Sequence, residues 1–259
     1  MPQHQYINQE KHLLAVDCVT FGYEDGLLKL LLFKRELTPE KGKWSLVGGW
    51  VETHETVEEA AARVLRKITG LQHIIQEQVA VFSDPARDTG DRVVSVAFYA
   101  LIDVKRHNKE LLNEHGASWF AVSERPPLIF DHSRMVAVAW HKLREKASYT
   151  LVGRGLLPEF FTLTSLRQLY NSIFVQEFDP GNFRKKVLAL NALQRLETKD
   201  FSESKKGAYH YRFRDEEEEV ASAEIKNPIL YRIGLALQKQ ENLILSVLTA
   251  SCMICLQNP

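Results

Sequence analysis

The alternation of apolar and polar positions in the first half of the chain predicts a mixed α+β domain. Two apolar, β-prone runs at residues 13–23 and 27–34 flank Asp25-Gly26, a dipeptide typical of a tight hairpin turn. Three further β-prone runs read WSLVGGWV, QVAVFSD and RVVSVAFYALIDV. Residues 133–146 repeat apolar side chains at helical spacing and open with a serine N-cap. We therefore expect one α+β domain over residues 8–150.

The pattern changes after a joint at residues 151–159 that contains glycine and proline. Thr164 is placed to cap a short helix, and a second, basic helix is expected in DPGNFRKKVLALNAL. A polar loop and the β-prone GAYHYRF come next. Two short helices followed by a hairpin are the order of a winged helix-turn-helix, which we predict for residues 151–214. Residues 215–259 begin with an acidic run and receive no functional interpretation.

Composition is that of an ordinary globular protein and identifies no partner. Of 259 residues, 45% are apolar, and Lys plus Arg equals Asp plus Glu at 33 each. The three cysteines are too few for a disulfide framework, and Cys252 and Cys255 lack a second pair of zinc ligands. The N-terminus has no apolar signal region, and the longest apolar stretch, residues 243–256, is too short to span a bilayer. We expect a cytoplasmic protein without membrane, cofactor or metal.

A helix is expected at residues 56–68, where apolar residues recur every three or four positions. Thr56 and Glu59 form a capping-box pattern, and Gly70 suits a left-handed helix end. Residues 48–71 resemble the Nudix box, in which a glycine, a glutamate and an arginine precede three clustered glutamates and a closing glycine. The matching frame residues are Gly49, Glu55, Arg63 and Gly70, whereas Val64, Lys67 and Ile68 replace the three clustered glutamates.

The resemblance implies that this domain has lost its catalytic metal. In the Nudix family the three glutamates hold the Mg²⁺ that supports attack on a diphosphate. Magnesium requires oxygen ligands, which Val64 and Ile68 lack, and the ammonium group of Lys67 repels a cation. Glu52 and Glu55 remain, but two acids do not rebuild the cluster. We expect no catalytic residues, and a scaffold that binds a ligand without hydrolysing it.

A Nudix fold implies a ligand cleft beside the strands before the box and the loop after it. Aromatic faces with a few fixed charges suit a sugar or a nucleoside. Two alternatives stay open: loop salt bridges explain Arg87, Asp88 and Arg92 equally well, and a helix-start cap explains the Asp131-His132 pair. The candidate ligand-binding residues are Lys34, Arg35, Trp44, Phe82, Arg87, Asp88, Asp131 and His132.

Positive charge is concentrated in the C-terminal module. Residues 151–214 contain 11 Lys and Arg against 6 Asp and Glu, an excess that favours a polyanion, although a solvated face is the simpler explanation of any one basic helix. The first turns of a recognition helix reach base edges, and a hairpin tip contacts phosphates. The candidate DNA-binding residues are Thr164, Asn182, Arg184, Lys185, Lys186, Lys205, Lys206 and Arg212.

Taken in order, the altered box, RDTGDRVVSVAFYAL, LIFDH, LLPEFFTLTSLRQLYNSIF and DPGNFRKKVLAL resemble the Nudix-related transcriptional regulators of the NrtR/AraR type, over residues 8–213. The resemblance implies an N-terminal Nudix-like α/β/α sandwich with a mixed sheet and a C-terminal winged helix. It also implies a homodimer on palindromic double-stranded operator DNA and a small-molecule effector. Some members sense ADP-ribose and regulate NAD metabolism, whereas others have lost the box and sense pentoses. With its three replacements, the chain is most similar to the sugar-sensing AraR branch.

We therefore expect a bacterial transcriptional regulator, a repressor or an activator, that senses a pentose such as arabinose in an inactive Nudix-like domain. One alternative is a Nudix hydrolase of ADP-ribose or of another nucleoside diphosphate derivative. A second alternative is a regulator of NAD metabolism that senses ADP-ribose without cleaving it. The sequence does not identify the effector.

Overall fold

A computed structural model of the chain describes residues 9–72, 74–105, 109–202 and 205–214. The strands are β1 (Leu13–Glu24), β2 (Leu27–Lys34), β3 (Trp44–Ser45), β4 (Val47–Trp50), β5 (Ile75–Phe82), β6 (Val93–Asp103), β7 (Ala117–Ala121), β8 (Phe161–Thr162), β9 (Leu193–Asp200) and β10 (Ala208–Phe213). The α-helices are α1 (Val57–Thr69), α2 (Lys109–Glu114), α3 (His132–Tyr149), α4 (Leu163–Phe174) and α5 (Pro180–Ala189), with a 3-10 turn at Val122–Glu124. Residues 215–259, with their acidic run and the Cys252/Cys255 pair, lie outside the described residues.

The larger sheet is mixed, as predicted. Its strands run in the order β3-β2-β1-β6-β5, with β4 also paired to β1 and β7 to β2. β1 pairs in parallel with β6 over its length, from Leu13 opposite Val93 to Tyr23 opposite Asp103, whereas its pairings with β2 and β4 are antiparallel. The β1–β2 hairpin turns at Asp25-Gly26, whose positive φ values of 53° and 78° fit a tight turn.

Helix α1 forms where the periodicity places it, because both of its ends are capped. Thr56 Oγ1 accepts from the Glu59 N–H at 3.2 Å, while Glu59 Oε2 accepts from the Thr56 N–H at 2.8 Å, completing the capping box. At the other end Gly70, with φ of 74°, donates its N–H to Arg66 O. The apolar face of α1 packs in the core with side chains of β1, β2, β4 and β6. Each fully buried aliphatic side chain there contributes about 1.5–3 kcal/mol.

The smaller sheet and two helices form the predicted winged-helix order. Its strands run β8-β10-β9, and β9 and β10 make an antiparallel hairpin after α5. Phe183 and Val187 of α5 are buried, whereas Leu188 is exposed. The rings of Phe161 and Phe213 join β8 to β10 at 5.0 Å between centroids.

The first residues of helices α3 and α4 differ from the prediction. Thr162 Oγ1 accepts from the Ser165 N–H at 3.1 Å, so α4 begins at Leu163 and Thr164 lies inside its first turn. Helix α3 begins at His132, and Ser133 therefore lies inside it rather than before it.

The described residues divide into two compact units. One holds the described residues up to Lys142 together with Gly153–Pro158 and Gln168–Val175, and the other holds Leu143–Val152, Glu159–Arg167 and the described residues from Gln176. The chain therefore passes between the units more than once, and the single boundary after residue 150 stays a prediction. Within the described segments, no helix has the length and apolarity needed to cross a membrane.

Replacing the threonine that caps α1 tests the contribution of the capping box. We expect Thr56→Ala to lower the free energy of unfolding by about 1 kcal/mol, since it leaves the Glu59 N–H without its acceptor. Urea denaturation measures this change, with Thr53→Ala as the control because Thr53 is an exposed threonine outside the helix. Equal effects of the two substitutions would contradict the assignment of the cap.

Candidate functional site

A cavity of about 290 Å³ lies between β1, β4 and α1, with loops closing its remaining sides. The Gly48-Gly49 pair of β4 allows these elements to approach closely. A Cβ atom on Gly49 would lie 2.8 Å from Val64 Cγ1, and one on Gly48 would lie 2.5 Å from Asp17 Oδ1. Both distances are shorter than real Cβ contacts, so a larger residue at either position would force its neighbour to move.

The residues at the box positions do not fit a magnesium ion. Val64, Lys67 and Ile68 all line the cavity, and only one of them is polar. Glu55 is held instead by Arg63, whose Nε donates to Oε2 at 2.8 Å and whose Nη2 donates to Oε1 at 2.5 Å. The hydrogen bonds from Arg63 are the main reason that the pKa of Glu55 falls to about 2. Within the described residues, no group of three or more His, Cys, Asp or Glu side chains is placed to hold a metal.

A buried ionic network forms one wall of the cavity. The side chain of Arg87 is 3% exposed, and it binds Asp131 through Nε–Oδ2 at 3.0 Å and Nη2–Oδ1 at 2.8 Å. Arg87 Nη2 also lies 3.7 Å from Asp17 Oδ2, which accepts from Ser95 Oγ at 2.6 Å. Arg87 thus compensates two carboxylates that would otherwise be costly to bury.

His132 joins this network in its neutral form. Its Nδ1 accepts from the Leu46 N–H at 3.1 Å, which leaves the ring proton on Nε2, 3.6 Å from Asp17 Oδ1. Burial lowers the pKa of His132, an effect that the nearby carboxylates only partly oppose. The Asp131 carbonyl accepts the N–H groups of Arg134 and Met135 at the start of α3. The Asp131-His132 pair therefore begins a helix and closes a structural network.

Four of the eight candidate ligand-binding residues line the cavity, namely Arg35, Arg87, Asp88 and His132. Lys34, Trp44, Phe82 and Asp131 are not part of the wall formed by the described residues. Lys34 is the last residue of β2, and its Nζ lies 5.4 Å from the Trp44 ring centroid. Phe82 is buried, and Arg134 Cζ lies 5.9 Å from the centroid of its ring. Asp131 is hydrogen-bonded to Arg87.

Several wall residues were absent from the candidate list, and Asp17, Trp50 and Phe130 are three of them. Asp17 is a single acid inside the apolar run of β1, which is the signal that could have revealed it. Trp50 is 44% exposed although it is a large aromatic side chain at the end of β4. Phe130 adopts a positive φ of 48°, and its ring lies 5.2 Å from Arg35 Cζ.

The basic residues of α5 lie on its exposed side. Asp179 Oδ1 accepts from the Asn182 N–H at 2.8 Å and caps the helix, and Pro180 occupies the first turn. Asn182, Arg184 and Lys185 are exposed and Lys186 is partly exposed, opposite the buried Phe183 and Val187.

In the hairpin, Lys205 and Lys206 are exposed in the loop between β9 and β10, as expected. Arg212 is half-buried, and its Nε donates to Gln194 Oε1 at 2.6 Å. Two further cations emerge only from the strand pairing: Arg195 Cζ and Lys199 Nζ each lie 4.6 Å from the Tyr209 ring centroid. Arg195 also pairs with Glu197 at 3.3 Å, so among the described residues Lys199 carries the free charge of this pair of cations.

Comparison with known proteins identifies both parts of the chain. Residues 11–139 match the NUDIX domain, and residues 153–213 match the NrtR DNA-binding winged helix domain. The predicted fold class, a Nudix-like domain with a mixed sheet followed by a winged helix, is confirmed.

The chain is similar to two named relatives. The "ADPR responsive transcriptional repressor NtrR" of Acinetobacter baylyi is 29% identical over 217 residues, which cover 82% of this chain and 86% of the relative. The ADP-ribose pyrophosphatase of Methanocaldococcus jannaschii is 36% identical over 117 residues, which cover 43% of this chain and 68% of the relative. Both are named for ADP-ribose and neither for a free pentose such as arabinose, so the AraR branch expected from the sequence is not supported.

Among solved structures, the chain is similar to Shewanella oneidensis NrtR complexed with a 27mer DNA. The TM-score is 0.72 at 28% identity, and the alignment covers 78% of this chain and 93% of that chain. The likeness thus spans both matched domains.

Removing the buried guanidinium tests the ionic network. We expect Arg87→Ala to lower the free energy of unfolding by about 3 kcal/mol, because Asp131 and Asp17 would lose their compensating charge. Urea denaturation measures the change, and Arg134→Ala serves as the control because Arg134 is an exposed arginine nearby on α3. A loss no larger than that of the control would mean that the network is not stabilising.

Proposed function

The chain belongs to the NUDIX family and carries an NrtR-type winged helix domain, and from that premise we propose that it is a transcriptional regulator controlled by ADP-ribose. In this proposal the winged helix binds double-stranded DNA, and ADP-ribose binds in the NUDIX-domain cavity. The observation that carries the proposal is the alignment with the A. baylyi repressor, which extends over 82% of this chain and includes both domains. We further propose a homodimer, since a pair of recognition helices reads two half-sites of one operator.

The cavity supports ADP-ribose rather than the pentose that was first expected. ADP-ribose carries a diphosphate with two negative charges and an adenine ring, whereas a free pentose is uncharged. The cations Arg35 and Lys67 line the cavity and suit the diphosphate, and the exposed Trp50 offers a face for base stacking. A pentose would cover these cations without neutralising them, which is unfavourable.

Hydrolysis of ADP-ribose is the second candidate function, favoured by the similarity to the M. jannaschii pyrophosphatase. Two features weigh against it. The box positions present Val64, Lys67 and Ile68 to the cavity, and Glu55 is engaged by Arg63. Without a bound metal the attacking water has no activator of the kind that the family uses. We therefore propose that ADP-ribose is bound and released intact.

DNA binding is tested by removing the basic residues of α5. We expect Arg184→Ala, Lys185→Ala and Lys186→Ala each to weaken binding to a duplex that the full chain selects from a random pool. Each variant that loses a phosphate contact should reduce the slope of log affinity against log salt by about one. Fluorescence anisotropy over a salt series measures both quantities.

The control for these variants is Lys41→Ala, which removes the same charge from an exposed loop of the NUDIX domain. Its DNA affinity and salt slope should match those of the unaltered chain. If all three α5 variants behaved like this control, α5 would not be the recognition helix.

The effector is tested by measuring stability and DNA binding together. We expect ADP-ribose to raise the melting temperature, since a ligand that prefers the native state stabilises it, and to change DNA affinity. Arabinose and xylose should leave both quantities unchanged. Chromatography of the recovered ligand after incubation with Mg²⁺ should show intact ADP-ribose. Stabilisation by arabinose alone would restore the sugar hypothesis, and conversion to AMP and ribose 5-phosphate at enzymatic rates would favour the hydrolase.

A further inference from the structure

We propose that this cavity binds a diphosphate without a divalent cation, and that the ammonium group of Lys67 supplies the charge that a metal would otherwise provide. The inference rests on the proposed function, because it assigns a place to the diphosphate inside the cavity proposed for ADP-ribose. Similarity to the relatives implies neither that Lys67 binds the diphosphate nor that binding occurs without a metal ion.

The first observation is the position of Lys67. It projects from the third turn of α1, lines the cavity and is exposed to solvent. Among the residues that the structure describes, Lys67 has no ion-pair partner, so its charge is available to a ligand. An ammonium group on a cavity wall is a point charge with three donors, which suits the oxygens of a phosphate.

The second observation is that two other arginines of the cavity are already neutralised. Arg63 binds Glu55 through two hydrogen bonds and lies 3.5 Å from Glu52, and Arg87 is paired with Asp131. These guanidinium groups therefore add little free positive charge to the cavity. Lys67 and Arg35 are the cations that remain for an anion.

Arg35 is already oriented for such a role. Its Nε donates to the carbonyl oxygens of Leu37 and Pro39 at 3.1 and 2.8 Å, and its guanidinium lies against the Phe130 ring. These contacts fix the plane of the group and do not use its terminal nitrogens. A fixed guanidinium loses little conformational freedom when it binds a phosphate.

Carboxylates on the wall oppose an anion, but the structure limits their effect. The charge of Asp17 is compensated by Arg87, and Asp88 Oδ1 accepts from the Gly90 N–H at 2.8 Å. Glu36 is exposed, so solvent and salt screen it. A diphosphate placed beside Lys67 and Arg35 therefore meets net attraction.

A divalent cation fits the same place poorly. Val64 and Ile68, which flank Lys67 on the cavity wall, belong to the hydrophobic core cluster. Their side chains have no oxygen atoms that could coordinate a metal ion. Lys67 itself would repel the ion, and Glu55 is occupied by Arg63. The diphosphate and the ammonium group can pair directly, without a bridging metal.

Isothermal titration calorimetry of the full chain with ADP-ribose tests this proposal, once in excess chelator and once in excess Mg²⁺. We expect the two dissociation constants to agree within about twofold, because no metal takes part. Lys67→Ala should weaken binding by about tenfold or more, the range of one charge-assisted hydrogen bond. Lys67→Arg should retain most of the affinity, and Lys67→Glu should bind more weakly than Lys67→Ala because its carboxylate repels the diphosphate.

The matched control is Arg66→Ala, which removes a cation from the adjacent, exposed position of α1 that does not line the cavity. Its affinity should equal that of the unaltered chain. If the chain binds ADP-ribose but requires Mg²⁺, or if Lys67→Ala binds as tightly as Arg66→Ala, the metal-free site is refuted while the proposed function stands. If the chain binds ADP-ribose in neither buffer, the proposed function fails and this inference fails with it.

Discussion

The packing of strand β4 against helix α1 and against strand β1 depends on two glycines, and the cavity depends on that packing. Gly49 brings the β4 backbone against Val64, and Gly48 brings it against Asp17, each so closely that a Cβ atom would overlap its neighbour. A larger residue at either position would push β4 away from α1 or from β1. Because these three elements bound the cavity, its shape follows from backbone contacts that only glycine permits.

The side chains at the three altered box positions have two different roles. Val64 and Ile68 are buried and have joined the hydrophobic core, where aliphatic side chains pack better than carboxylates do. Lys67 remains at the cavity surface. The fold is formed without these acids, Val64 and Ile68 contribute to its apolar packing, and the capping box and Gly70 define the ends of the helix. A family built around a metal site can in this way keep its fold after the ligands of that metal have gone.

Much of the fold was predictable because its signals are local. The Asp25-Gly26 turn, the capping box of α1 and the apolar periodicity of the helices each involve residues within a few positions of one another. The order of short helices and a hairpin likewise predicted the winged helix, and the box positions showed that a metal cluster was incomplete. The effector was beyond this kind of inference. A box without its three clustered glutamates is compatible with more than one ligand. The expectation of a pentose is not supported by the comparison with relatives, and ADP-ribose is proposed on the strength of that comparison.

By itself, the sequence thus determined many of the elements, their order and the residue types at the box positions, since these follow from short-range hydrogen bonding and from residue type. Only the tertiary structure decided which side chains face the cavity. Asp17 meets Ser95 across the parallel pairing of β1 with β6, and Arg87 meets Asp131 although the two are 44 positions apart in the sequence. Lys34 and Arg35 are adjacent in sequence, yet only Arg35 lines the cavity, whereas Lys34 lies against the Trp44 ring. Such contacts depend on how distant segments pair, which no local pattern encodes.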